Sequence, residues 1–518
     1  MSRKIGTRII ALLMCVFILA GCAAQRQIAE TSAQISPTPA AATAKPTISL
    51  KAGPTEAQDE APKYIFLFIG DGMSYAQVQA AQIYKGSIAG RLEPEPLNFS
   101  QFPVVGTNTT YDTTSYIPDS AAAGTAIACG VKTETGTIGM EADGTAAQSI
   151  AELLKADGRK IGIVTSTSLN HATPAAFYAH ADSRGDYYDI AVQMADSGFD
   201  YFGGGGIYQP TGSGKDRVNA YTLLEESGYA IADTKEEIEA LGSASGKVYA
   251  VSPVLQGSEM LPFAIDAQEG DLTLADFVRK GIDVLEGEDG FFMMCEGGKI
   301  DPACHANDAA AAIAEVLDFE DAIQQAVNFM GEHPEETLII ITADHETGGM
   351  ALGYTITEYD TRFEILQAQE ASYLKFTAVI EKLKKDTPGL ALKDALPVIK
   401  EYFGLIAPGA PGAGDPGNAA YVMTDEEYAR LKAAFAEAMK PSAEREDSEE
   451  ATLLYGGYNP LTVTLTHIMS GKAGIGWTTF YHTATLVPVY AAGEGAALFS
   501  GAYDDADIFH KLAAICGL

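Results

Sequence analysis

The chain has 518 residues, 47% of them hydrophobic, which is enough apolar material for a large core and excludes wholesale disorder. Its 34 Lys and Arg stand against 69 Asp and Glu, a formal net charge of −35, so no nucleic-acid partner held through a phosphate backbone is expected. Six cysteines are too few for a disulfide scaffold at this length.

Arg3, Lys4 and Arg8 precede an apolar run from Ile9 to Ala20, a basic start and a hydrophobic segment too short to span a bilayer stably. Leu19-Ala20-Gly21-Cys22 has the pattern of a bacterial lipobox. Residues 1–21 are therefore predicted to be a lipoprotein signal peptide, with Cys22 lipidated and serving as the new N-terminus. An ordinary cleaved signal peptide is the plainer alternative. Residues 23–62 carry Pro37, Pro39, Pro46, Pro54 and Pro62 and no aromatic residue, so they cannot bury enough apolar surface to offset ordering entropy. Residues 22–62 read as a lipid attachment point and a disordered tether, which predicts an extracytoplasmic protein anchored to the cell membrane. The folded part, 63–518, begins at Lys63.

Short apolar runs then recur, each ending in polar residues. Tyr64–Ile69 leads into Gly70-Asp71-Gly72, and Lys160–Val164 into Thr165-Ser166-Thr167 and His171. Phe291–Met294 leads to Glu296-Gly297-Gly298, and Thr337–Ile341 to Asp344-His345. Helical pattern is present over Ala146–Ala156, Ala275–Glu286 and Asn307–Met330. Apolar runs alternating with helices predict an α/β fold with a mostly parallel central sheet flanked by helices, whose ligands bind at the carboxyl ends of the strands. Residues 352–474 are mostly helical in pattern, with a capping box at Thr424-Asp425-Glu426-Glu427 and a Pro/Gly-rich loop from Ala407 to Gly417. They read as an insertion on the sheet scaffold.

Asp301 and His305 lie four apart, so on a helix they project from one face and can share a metal. Asp344-His345 and Asp71 add ligands at two strand ends, and His482 lies just before another apolar stretch, Leu486–Tyr490. An Asp/His set without paired cysteines suits catalytic zinc better than a structural cysteine site. An isolated Asp-x-x-x-His is usually a solvated surface pair; the weight here comes from the combination across strand ends. Pro118-Asp119-Ser120 followed by small residues reads as a helix N-terminus, where Ser120 is either part of a cap or a nucleophile whose alkoxide the helix end and a metal stabilise.

With these stretches in hand, the chain resembles the alkaline phosphatase family. The matching motifs are Phe68-Ile69-Gly70-Asp71-Gly72-Met73, Asp119-Ser120-Ala121-Ala122-Ala123-Gly124-Thr125-Ala126, His171-Ala172-Thr173-Pro174-Ala175 and Ser183-Arg184. They continue with Glu296-Gly297-Gly298-Lys299-Ile300-Asp301-Pro302-Ala303-Cys304-His305, Thr342-Ala343-Asp344-His345-Glu346 and His482-Thr483, in the family's order across the folded part. The resemblance implies a phosphomonoesterase acting on small phosphate monoesters, with Ser120 as nucleophile passing through a phosphoserine. It implies one zinc on Asp71, Asp344 and His345 beside Ser120, and a second on Asp301, His305 and His482. Arg184 would grip the phosphate, oriented by Asp119. A third ion, usually magnesium, would take Asp71, Thr173 and Glu296. It also admits a homodimer.

Two positions depart from one pattern in that family. His171 replaces an aspartate beside the third ion, and its nitrogen would favour zinc there; Pro302 replaces a larger residue near the phosphate and would hold product less tightly. Cys304, between two proposed ligands, is expected to pack rather than to bind metal, and a Cys295–Cys304 disulfide is open. The competing readings are a phosphodiesterase or related hydrolase of the same superfamily, and a non-catalytic solute-binding lipoprotein, which would need no metal ligands around a serine.

Overall fold

The computed structural model describes residues 61–518; the expectations for residues 1–60, including the signal peptide, Cys22 and nearly all of the tether, lie outside the described residues. The strands, in chain order, are β1 (Tyr64–Ile69), β2 (Val104–Thr109), β3 (Lys160–Thr165), β4 (Tyr201–Gly204), β5 (Ala230–Ala232), β6 (Val248–Val251) and β7 (Phe291–Glu296). They continue with β8 (Thr337–Thr342), β9 (Glu346–Thr347), β10 (Ala351–Leu352), β11 (Ile475–Gly476), β12 (His482–Thr483), β13 (Val487–Gly493) and β14 (Gly501–Asp504).

Ten of these make one sheet in the order β14-β2-β13-β8-β1-β7-β3-β4-β6-β5. Every neighbouring pair is parallel except those of β13, which runs antiparallel to β2 and β8. The central strand β1 is apolar throughout and wholly buried, because alternate side chains enter cores on opposite faces. Tyr64, Phe66 and Phe68 pack among residues of the helices Leu274–Leu285 and Ala309–Glu332. Ile65, Leu67 and Ile69 pack on the other face among residues of Ser120–Cys129 and Ile150–Ala156. The expected α/β sheet with helical layers is the fold found.

Register sets the site. Ile69 of β1 is level with Glu296 of β7 and with Thr342 of β8, and Glu296 is level with Thr165 of β3. Four strands thus end on one line, and the residues that follow them converge. The antiparallel sense of β13 brings its start, rather than its end, to the same edge, with Val487 opposite Asn108 near the end of β2. That direction places His482, which precedes β13, beside ligands that follow parallel strands.

Three helix bounds differ from the pattern reading, two of them through capping. The helix expected over Ala146–Ala156 starts at Ile150, because Ser149 caps it and accepts from the Glu152 amide at 3.1 Å while Glu152 accepts from the Ser149 amide at 2.8 Å. The one expected from Asn307 starts at Ala309, capped by Asp308. The third runs Leu274–Leu285, one residue earlier at each end than Ala275–Glu286. Beyond β10 the chain forms the helices Tyr373–Asp386, Leu392–Phe403, Asp425–Ala438, Glu449–Tyr455 and Pro460–Ala473 before β11. The β10–β11 ladder, Ala351 against Gly476 and Leu352 against Ile475, closes this excursion at its base.

Candidate active site

Asp71, Asp344 and His345 are fully buried at the ends of β1 and β8. His345 Nε2 lies 3.4 Å from Asp71 Oδ1 and 3.5 Å from Asp344 Oδ2. Gly72 follows Asp71 at φ +75°, and a Cβ there would stand 2.9 Å from Thr347 Oγ1 and 3.0 Å from the Asp301 Cα, so the turn requires glycine both for its backbone and for its space. Ser120 opens the buried helix Ser120–Cys129, and its Oγ is 3.2 Å from His345 Nε2.

Asp301 and His305 share one face of the short helix Ile300–His305, with His305 Nε2 3.3 Å from Asp301 Oδ1. His482 completes this second cluster, its Nε2 at 3.1 Å from His305 Nε2 and 3.6 Å from Asp301 Oδ1. The His345 and His482 rings stack with centroids 3.6 Å apart, which joins the two clusters. A third group forms where ligand atoms of Asp71, His171 and Glu296 lie within 4.8 Å of one another. Thr173 Oγ1 donates to Asp344 Oδ2 at 3.4 Å on its border. Arg184 Nη1 donates to Asp119 Oδ2 at 2.9 Å, while Asp119 Oδ1 accepts from the amides of Ala122 and Gly136 at 3.0 Å. One carboxylate therefore caps the Ser120 helix and aims the arginine.

The donor sets fit divalent metal ions. Both oxygens of Asp71 and Oε1 of Glu296 are buried without a hydrogen-bond partner, a costly state for carboxylates unless a cation faces them. His305 Nδ1 donates to Phe480 O at 2.6 Å and His482 Nδ1 to Pro118 O at 2.8 Å, so both Nε2 atoms turn lone pairs towards one point. Two lone pairs 3.1 Å apart need a proton or a metal between them.

The charges show the same strain. Burial, then Asp301 and Glu296, push the Asp344 carboxyl up to about 8; burial, then Asp344 and Asp301, raise Asp71 well above the carboxylate range. Burial would lower His305, but Asp301 overrides it and lifts the ring to about 9. Burial, reinforced by Arg184, drives His171 down to about 3, leaving a neutral ring able to serve as a ligand. Burial alone would raise Asp119, and Arg184 with the Gly136 and Ala122 amides holds it below the usual range instead.

All twelve residues singled out beyond Cys22 thus meet at one sheet edge. Sequence reasoning missed their supports. Thr347 Oγ1 donates to Asp301 Oδ1 at 2.6 Å and lies 3.2 Å from His345 Nδ1, so one hydroxyl orients a ligand in each cluster. Glu346 accepts from Gln77 Nε2 at 2.9 Å and from Thr483 Oγ1, tying β9 to β12. The Asp-His-Glu-Thr run signals such a turn only once the strand end is known. Cys295 and Cys304 are free buried thiols, so no disulfide joins them. Gln77 Nε2 donates to Cys304 Sγ at 3.8 Å, and burial raises that thiol well above its ordinary value, as expected of a packing residue.

The alkaline phosphatase family model matches residues 62–203 and 206–518. Alkaline phosphatase 3 of Bacillus subtilis (strain 168) is 30% identical over 461 residues, spanning 87% of this chain and 88% of its own. The crystal structure of a cold-active alkaline phosphatase from Shewanella sp. superposes with a TM-score of 0.71 at 28% identity, covering 88% of this chain and 99% of that one. A TAB5 alkaline phosphatase variant with aspartate replacing a histidine, with Mg bound in the M3 site, gives 0.59 at 26% identity over 88% of this chain and 99% of its own. With the strand-end site and a match along nearly all of the described residues, the chain belongs to the alkaline phosphatase family of phosphomonoester hydrolases.

Proposed function

We propose that this chain hydrolyses phosphate monoesters through a phosphoserine at Ser120, outside the cytoplasm and tethered to the membrane by lipid on Cys22. The observation that carries the catalytic part is the position of Ser120: its Oγ sits at a buried helix N-terminus, 3.2 Å from His345 Nε2. The amide end of that helix favours an anion at this point, and Arg184 is paired with Asp119, the residue that caps the same helix.

Asp71, Asp344 and His345 would hold one zinc, Asp301, His305 and His482 a second, and Asp71, Glu296, Thr173 and His171 a third ion. When bound, the two zincs would supply the charge that makes a serine alkoxide accessible and neutralises the departing oxygen. The chain's own residues do the rest. Ser120 Oγ gives its proton to solvent water and bonds to phosphorus as the bond to the ester oxygen breaks; the leaving oxygen takes a proton back from water and departs as the alcohol. Water then attacks phosphorus, its oxygen bonding there as the bond to Oγ breaks; Oγ takes up one of its protons and inorganic phosphate is freed. Arg184 grips two non-bridging oxygens, a planar fork that lysine does not offer. The third ion is magnesium or zinc. The TAB5 variant carries aspartate for a histidine and has Mg in its M3 site; the neutral nitrogen of His171 favours zinc instead.

Hydrolysis of p-nitrophenyl phosphate before and after stringent chelation tests the reading. Activity should vanish and return on zinc addition; activity unchanged by metal removal contradicts it.

A further inference from the structure

Beside the ligand clusters lies a cavity of about 240 Å³ that the phosphate-handling residues do not fill. Its lining includes His171 and Asp301 from the ligand clusters, together with Tyr187, Tyr208, Met260 and Pro302. The two tyrosines meet edge to face, with centroids 4.9 Å apart at 83°. Asn170, fully buried and adjacent to His171, fixes both: its Nδ2 donates to the carbonyls of Tyr187 and Tyr208 at 2.9 Å, and its Oδ1 accepts from the Tyr208 amide at 2.9 Å. Met260 is held by paired backbone bonds with Gln256 of 2.7 and 3.0 Å, and the next residue, Leu261, donates to Ser166 O at 2.9 Å. The walls are therefore set before any ligand arrives.

We propose that this cavity is the subsite for the ester substituent and that it selects phosphomonoesters of ring-bearing alcohols, of which a nucleoside is the model. The proposal rests on the phosphomonoesterase reading above, with the ester oxygen taken to leave at the cluster of Asp301, His305 and His482; Asp301 and the following Pro302 also line the cavity. Two tyrosine rings, a thioether and a proline ring offer apolar surface to a planar group. Among the described residues, the titratable groups in the lining besides the tyrosines are His171 and Asp301, so nothing there attracts a second anionic group. The volume falls below the roughly 300–1,000 Å³ of pockets for drug-sized ligands, which suits one compact ring system and not an extended chain.

The test compares kcat/KM for adenosine 5′-monophosphate and glycerol 1-phosphate, both esters of primary alcohols with similar leaving oxygens. The intact enzyme should prefer the nucleotide by about tenfold, the scale of one ring stacking on an aromatic side chain. Tyr208→Leu and Tyr187→Leu should each bring that ratio towards one. A ratio near one in the wild type, or one unmoved in both variants, overturns the proposal. Should the variants fail to fold, competitive inhibition of the wild type by adenosine, with none by glycerol, upholds it, and equal inhibition by the two overturns it. Absence of hydrolysis of either substrate by the zinc-loaded wild type would instead count against the phosphomonoesterase reading itself.

Discussion

Asp71, Asp344 and His345 stand at the ends of neighbouring parallel strands, whereas Asp301, His305 and His482 come from a six-residue helix and the two-residue strand β12, outside the main sheet. The first three are fully buried; the side chains of His305 and His482 keep 23% and 13% of their surface exposed. Strand-end ligands are positioned by sheet register, which many backbone bonds enforce together. Ligands outside the main sheet need separate hydrogen bonds, and here the helical excursion between β10 and β11 supplies some of them. Asn307, at φ +50°, donates through Nδ2 to Cys304 O and Thr479 O at 2.9 Å and accepts from His467 Nε2 at 3.0 Å. His467 lies on the helix Pro460–Ala473, whose Ser470 also bonds Trp477 Nε1 at 3.2 Å. That helix carries no ligand of its own and holds the turn after His305 to the loop before His482.

The largest contrast should come from deleting a strand-end ligand. Asp344→Ala removes a ligand next to the nucleophile, and kcat/KM for p-nitrophenyl phosphate should fall by about a thousandfold or more, several kcal/mol of lost charge stabilisation. A loss below tenfold would show that this cluster is dispensable.

The first cluster should also govern stability without metal. The Asp344 carboxyl is held near 8 in the metal-free fold against 3.8 ordinarily. A group raised on folding contributes stability below its unfolded pKa and loses it as pH rises through the folded one. Below about 6.5 the buried His171, driven down to about 3 in the fold, offsets this term, so the chelated protein should lose thermal stability between about pH 6.5 and 8, while the metal-loaded protein should not. Parallel melting curves across that range would contradict the assignment of these buried carboxylates to a cation site.

The smallest effect tests the second cluster. Asn307→Gly keeps the left-handed backbone and removes the side chain, so zinc affinity at the second cluster should weaken by about 10- to 100-fold, as for lost supports of ligands elsewhere. His467→Gln retains a donor and should stay close to wild type in a chelator-competition titration, whereas His467→Ala should follow Asn307→Gly. Equal zinc affinity in all four proteins would remove the excursion from any role at the site.

The same contrast explains what could be read from the sequence. Continuous apolar strands ending in Asp, His or Glu are visible as runs, and Tyr64–Ile69 has the same bounds in the structure. The Thr424 capping box opens the helix Asp425–Ala438 as its local chemistry demands. Thr347, Glu346, Asn170 and Asn307 were not legible, because their roles depend on which distant backbone groups they meet. The antiparallel direction of β13, which delivers His482, is likewise a property of the assembled sheet and not of the stretch Leu486–Tyr490.

The central claim is that Ser120, which lies beside the strand-end cluster on the helix that Asp119 caps, is the group that takes the phosphoryl from substrate. Acid quenching of the zinc-loaded enzyme during turnover, followed by peptide mass analysis, tests it most directly. The account predicts one phosphoryl group on the peptide containing Ser120 and none in Ser120→Ala. Phosphate on a different residue, or turnover by Ser120→Ala at the wild-type rate, would contradict it.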